Sequence, residues 1–201
     1  VRAYLNGVLQ YQYGFDGFAF DESRYINNFI DYERFHLMGQ RVQKLFQISD
    51  YPLSIVAGNK KDGIIKVQPG VNYTYRVELF DFHGNKVELV IPIEFANSQP
   101  TIKNAIQKTP YFVKAKNEAI FEKNNVSVQI PENAFYSNFY LNFDVSNDIL
   151  TLHDDSVPVH KNITITFNDV QGLSEEQLAK TYIAILDGHK LDYNKTYRKG
   201  N

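Results

Sequence analysis

In HDDSVPVH, residues 153–160, two imidazoles (His153 and His160) flank two carboxylates, Asp154 and Asp155. These are the side chains from which zinc sites are usually built. If DDSVP reversed the chain, the histidines would face each other across a hairpin with Cβ atoms about 5 Å apart. A third ligand is harder to supply. Asp154 would point to the other face and Asp155 would lie in the loop, whereas catalytic zinc wants three protein ligands and a water. The spacing therefore favours a polar hairpin. Asp154, Asp155 and Ser156 would supply turn hydrogen bonds, Pro158 would protect an edge, and Leu150, Leu152, Val157 and Val159 would form the apolar face. His153, Asp155 and His160 remain weak metal candidates, and no metal or other cofactor is expected in this chain. His36, His83 and His189 complete neither His-x-His nor His-Glu-x-x-His.

Other reactive patterns are incomplete. Gly58 and Gly63 have phosphate-loop spacing, but Ile64-Ile65 stand where the Lys-Ser/Thr pair must follow. No Gly-x-Ser-x-Gly elbow is present. The carboxylates of Asp154-Asp155 and Glu175-Glu176 are sequence neighbours, and neighbours on a strand point to opposite faces, which spoils paired acid–base work. With no cysteine in the chain, thiol nucleophiles, disulfides and Cys-ligated zinc are excluded. The string YQYGFDGFAF offers Tyr11, Tyr13, Phe15, Phe18 and Phe20 as possible ligand contacts, since exposed rings stack on sugars. The favoured reading is that alternate rings pack in the core while the others cover the helix that follows. Four Asn-x-Ser/Thr triplets, at Asn72, Asn125, Asn162 and Asn194, carry no information in a chain so rich in Asn.

These residues must be positioned by β structure. Val126, Val128 and Ile130 alternate with Ser127 and Gln129. Phe139, Leu141, Phe143 and Val145 alternate with polar residues, as do Ile163, Ile165 and Phe167. Asp62-Gly63 between LSIV and IIKV reads as a hairpin turn, and so does Gly84-Asn85 within DFHGNK. One helix is expected near 22–36, capped at Asp21 and stopped by Gly39, and a short one near 174–180, where Ser174 and Gln177 have capping-box spacing. The stretch from Pro92 to Pro110 loses alternation. The reading is mainly β, with two β-sandwich domains: residues 1–96, Ig-like with a helical insertion; a linker at 97–107; and a second sandwich over 108–201. Val1 opens on what reads as a strand already under way, as in a mature product or an excised piece. A net charge of −2 gives no field to recruit nucleic acid or an anionic membrane, and no apolar run is long enough to span one.

The stretch FAFDESRYINNFIDYERFHLMGQRVQKLF, followed by PLSIV, DGII and YRVELFDFHGNK, resembles the region downstream of the catalytic domain in LytM/lysostaphin-type zinc peptidases of Gram-negative envelopes. The pattern Phe-Asp-Glu-x-Arg-Tyr-x-Asn-x-x-Ile-Asp-Tyr spans Phe20 to Tyr32 without a departure. YFVKAKNEAIF, VSVQIPENAFYSNFYLNFDV and HDDSVPVHKNITITF extend the likeness over nearly the whole chain. The family's catalysis needs zinc held by His, Asp and a His-x-His strand, and no such ligand carries over to any residue here. The resemblance thus implies a non-catalytic accessory or scaffold region of a peptidoglycan endopeptidase, periplasmic or secreted at the cell envelope. Its expected partners are the peptidase domain of the same parent, which would hold the zinc, and peptidoglycan or another envelope protein. The alternative is a carbohydrate- or peptidoglycan-binding module using the Tyr11–Phe20 aromatics.

Overall fold

The computed structural model describes residues 1–17, 19–47, 53–57, 62–97, 107–147, 149–168, 172–187, 189–194 and 196–197. The chain is mainly β, with several antiparallel sheets and, among the described residues, no barrel. Strands β1 (Arg2–Leu5) and β2 (Val8–Gln12) form a hairpin over Asn6-Gly7, both at positive φ, the conformation a tight two-residue turn demands. A 3-10 turn (Phe20–Tyr25) then leads into α1 (Ile26–Phe29) and α2 (Tyr32–Met38).

The single helix expected over 22–36 is therefore broken. Ile30 is extended, at φ −99° and ψ 164°, because it bridges to Gln43 while Asp31 N–H donates to Val42 O at 2.8 Å. Asp31 restarts the helix, its side chain accepting from Arg34 N–H. Asp21 does not cap: Ala19 stands at that position, without a side-chain bond. Gly39 closes α2 in the left-handed conformation, as its sequence position implies.

Strands β3 (Tyr73–Phe80) and β4 (Lys86–Ile93) complete a sheet in the order β2-β1-β3-β4. The expected turn at Gly84 joins them, with Asp81 Oδ1 accepting from His83 and Asn85 N–H groups at 2.9 Å each. The hairpin expected at Asp62-Gly63 does not form: residues 53–55 and 62–68 are in no strand, and Val56 makes only an isolated bridge to Tyr13. Gly63 has another duty. A Cβ there would lie 2.3 Å from Leu45 O and 2.8 Å from Phe46 Cα. Ala3, Tyr11, Tyr13, Phe29, Leu53 and Ile55 form the core of this part.

The second core belongs to residues beyond 110. Strand β5 (Phe112–Val113) precedes the hairpin of β6 (Ala119–Lys123) and β7 (Val126–Ile130), turned by Asn124 at φ +52°. The inward side chains of β7, Val126, Val128 and Ile130, are buried, as their alternation predicts. The strand expected over 139–145 is split into β8 (Phe139–Tyr140), paired with β5, and β9 (Phe143–Ser146), paired with β10 (Ile149–Leu152). Between them Leu141 bonds sideways, its N–H to Tyr111 O at 2.8 Å and its carbonyl to Thr109 Oγ1 at 2.7 Å. Strand β11 (Thr164–Phe167) lies on the other side of β7 from β6.

A full capping box, Ser174 with Gln177, starts the one-turn helix α3 (Glu175–Leu178). A hairpin of β12 (Ala184–Asp187) and β13 (Lys190–Tyr193) follows. Val113, Phe135, Leu141, Phe143 and Val145 join the β7 residues in this core. The boundary segment expected at 97–107 lies almost wholly outside the described residues.

Gly63→Ala should be the most damaging alanine substitution among the described glycines. A side chain at φ +81° alone costs about 1–2 kcal/mol, and the backbone clash should add at least about 2 kcal/mol more. Gly70→Ala, at φ +74° in open space, is the control and should cost only the first of these. Urea denaturation of both variants checks this; equal losses would contradict it.

Candidate functional site

The histidines of HDDSVPVH are pulled apart by separate partners. The chain leaves β10 at His153, which sits at φ +53° and exchanges two bonds with the gap between β8 and β9. Its N–H donates to Asn142 O at 2.7 Å, and its Nδ1 accepts from Asn142 N–H at 3.2 Å, while the ring tilts against Phe139 at 4.9 Å. Accepting at Nδ1 puts the proton of the neutral ring on Nε2. The expected 153–160 hairpin is not present, because residues 153–158 pair with nothing as a ladder and Val159 bridges instead to Phe135. Asp154 makes the turn, accepting from Ser156 N–H at 2.9 Å, and the Ser156 hydroxyl and N–H hold its carboxyl below the usual range. Among the described residues no group of three His, Cys, Asp or Glu side chains is placed to hold a metal ion, and His153 and His160 are not brought together.

His160 belongs to a different place, the seam where the helical insertion meets the second core. Tyr25 stacks on its ring at 4.9 Å and 16°. Arg24 Nη1 donates to His160 O at 2.6 Å. Tyr136 Oη donates to Arg24 O at 2.6 Å, so its contact with His160 Nδ1 at 3.0 Å is satisfied by a ring proton on Nδ1. His160 N–H is anchored to Ala134 O at 2.8 Å. Two short hydrogen bonds and one stack across the seam contribute roughly 2–3 kcal/mol together. Burial pushes the His160 imidazole below its ordinary range, and the cations of Arg24 and Lys161 add to this. Asp155 lies close enough to Tyr32 for its charge to reinforce the burial that raises that phenol.

Other residues of the Phe20–Tyr32 stretch are similarly occupied. The Glu22 carboxylate receives Ser54 Oγ at 2.7 Å and Ser54 N–H at 3.1 Å. Ile26 and Phe29 pack against the first core, and Asp31 caps α2. Lys44 crosses beneath, donating to Asn28 O at 3.0 Å, and burial lowers its pKa.

The aromatic string divides. Tyr11 and Tyr13 are 1% and 5% exposed and belong to the core, so they cannot offer a ring face to a sugar. Phe15 is half exposed and Phe20 is 94% exposed, while Phe18 lies outside the described residues. Tyr13 Oη donates to Gln43 Oε1 at 2.7 Å and its ring meets Phe29 edge-on at 5.0 Å. The buried Tyr11 hydroxyl has no hydrogen-bond partner among the described residues, and burial pushes its pKa up to about 12.

Residues 110–201 match the Zu5-like domain family, a span a little under half of the chain. Neither a curated protein nor a solved structure matches the sequence.

Tyr11→Phe should be neutral or stabilising by up to about 1 kcal/mol, since it removes a buried hydroxyl that bonds to none of the described residues. A midpoint lowered by more than that in thermal denaturation would show a partner for the hydroxyl. At the seam, the unfolded chain protonates an imidazole as pH falls through about 6.5, whereas folded His160 resists until lower pH. The unfolded state then holds more protons, so stability should decline as pH falls from neutral through that window. His160→Gln should flatten this part of the pH dependence; an unchanged slope would contradict it.

Proposed function

We propose that this chain is the non-catalytic accessory region of a peptidoglycan zinc endopeptidase of a Gram-negative envelope. It orients or restricts the peptidase domain of its parent, or docks that domain to an envelope partner. The observation that carries the reading is how the Phe20–Tyr32 stretch, on which the resemblance rests most, spends its side chains. Glu22, Arg24, Tyr25, Phe29 and Asp31 hold loops, helices and the seam in place. A stretch used in this way is architecture. Bond cleavage, with its zinc, belongs to the parent's peptidase domain.

We further read the two cores as two sandwich domains, residues 1–96 Ig-like and 108–201 second, joined by a linker at 97–107. The Zu5-like match supports the division, since it starts at residue 110 and takes in the whole second core. The competing reading, a peptidoglycan-binding module on the Tyr11–Phe20 aromatics, keeps only Phe15 and Phe20 as exposed rings among the described residues.

Co-sedimentation with purified sacculi distinguishes the two. The chain should stay in the supernatant at all concentrations of wall. Pelleting that is abolished by Phe15→Ala with Phe20→Ala would overturn the scaffold reading in favour of wall binding.

A further inference from the structure

Among the described residues, strand β4 is the outermost of its sheet, with β3 as its one neighbour. Which main-chain groups it turns outward follows from the register. Thr74 uses its carbonyl and N–H on Asn6, at 2.9 and 2.8 Å, and so makes no main-chain bond to Pro92 opposite. At the other end of the hairpin Asp81 N–H donates to Asn85 O at 3.1 Å. Bonded and non-bonded pairs alternate along an antiparallel ladder. Lys86, Glu88 and Val90 therefore direct N–H and C=O away from β3, and Pro92 its carbonyl alone.

The side chains of β4 are equally informative. The row Tyr11–Ala3–Val77–Leu89 crosses the sheet on its core face. Its first three members are buried, yet Val87, Leu89 and Ile91 on the same face are 67%, 54% and 39% exposed. The apolar face thus runs on beyond its cover. On the other face Lys86 Nζ lies 3.0 Å from Glu88 and 3.3 Å from Glu78.

We infer that β4 pairs, antiparallel and edge to edge, with β4 of a second copy of this chain, about a two-fold axis at Leu89. In that register Leu89 opposes the partner's Leu89, and Val87 opposes the partner's Ile91, as close non-hydrogen-bonded pairs. Glu88 opposes the partner's Val90 and Lys86 the partner's Pro92, as bonded pairs in which only the proline N–H is lacking. Every inward position is apolar and no charge meets its like. An axis at Glu88 would set two carboxylates against each other, and an axis at Val87 would leave Ile91 beyond the paired stretch. The edge is complementary to itself, which is what a two-fold interface requires. Lys86 and Pro92, residue types that discourage indiscriminate edge pairing, confine the ladder to one short stretch.

The absence of cysteine from the chain gives a direct test. Leu89→Cys introduces a single thiol opposite its own symmetry mate, at a separation of about 4.5 Å between Cα atoms, within reach of a disulfide. Under mild oxidation it should give a covalent dimer at least tenfold faster than Val87→Cys. Sedimentation velocity of the unmodified chain should show a dimer that gives way to monomer on dilution. Leu89→Lys, at an exposed position that preserves the fold by circular dichroism, should weaken the dimer at least tenfold. A monomer at all concentrations, or cross-linking of Val87→Cys as fast as Leu89→Cys, would overturn the inference.

Discussion

Arg24 and Tyr25 close on His160 from the edge of the first core, against which Tyr25 also packs, one taking its carbonyl and the other its ring. This contact joins positions 136 residues apart, so it fixes the relation between two parts that otherwise bury separate sets of apolar side chains. Tyr136 completes it by donating to Arg24 O while receiving the His160 ring proton. The seam is polar and small, worth a few kcal/mol, which is a large fraction of the stability a typical domain has in total.

That geometry also decides what His160 is available to do. Its Nδ1 is committed to a phenol, its carbonyl to a guanidinium and its ring face to Tyr25. His153 is committed elsewhere, to the main chain of Asn142 and the ring of Phe139. Imidazoles held like this are packing and hydrogen-bonding units. The carboxylates between them, Asp154 and Asp155, serve a turn and the surroundings of Tyr32.

Much of the β framework was legible because it is local. The alternation in Val126–Ile130, the Asp81–Asn85 turn and the Ser174/Gln177 box each depend on residues within a few positions of one another, and each forms. Apart from the cap, expected at Asp21 and found at Ala19, the failures are non-local. Ile30 has helical spacing, but its pairing with Gln43 breaks the helix. Gly63 looked like a turn residue, whereas its constraint comes from the backbone of Leu45 and Phe46. Thr109 and Tyr111 interrupt the strand at Leu141. Alternation in the aromatic string gives two sides but not which rings the core takes, and Tyr11 and Tyr13 were chosen by Ala3 and Phe29 rather than by anything adjacent. Nothing near His160 in sequence announces Arg24 and Tyr25. The signal that was present is the density of Arg, Tyr and acidic residues in the Phe20–Tyr32 stretch, too polar for a purely buried helix.

The central claim is that this stretch is architecture, binding the two cores into one body through the seam. Differential scanning calorimetry of the intact chain against the Arg24→Ala/Tyr25→Ala pair tests it most directly. One cooperative transition should resolve into two in the variant, each core melting on its own. A variant that still unfolds in one transition at the same temperature would contradict the account.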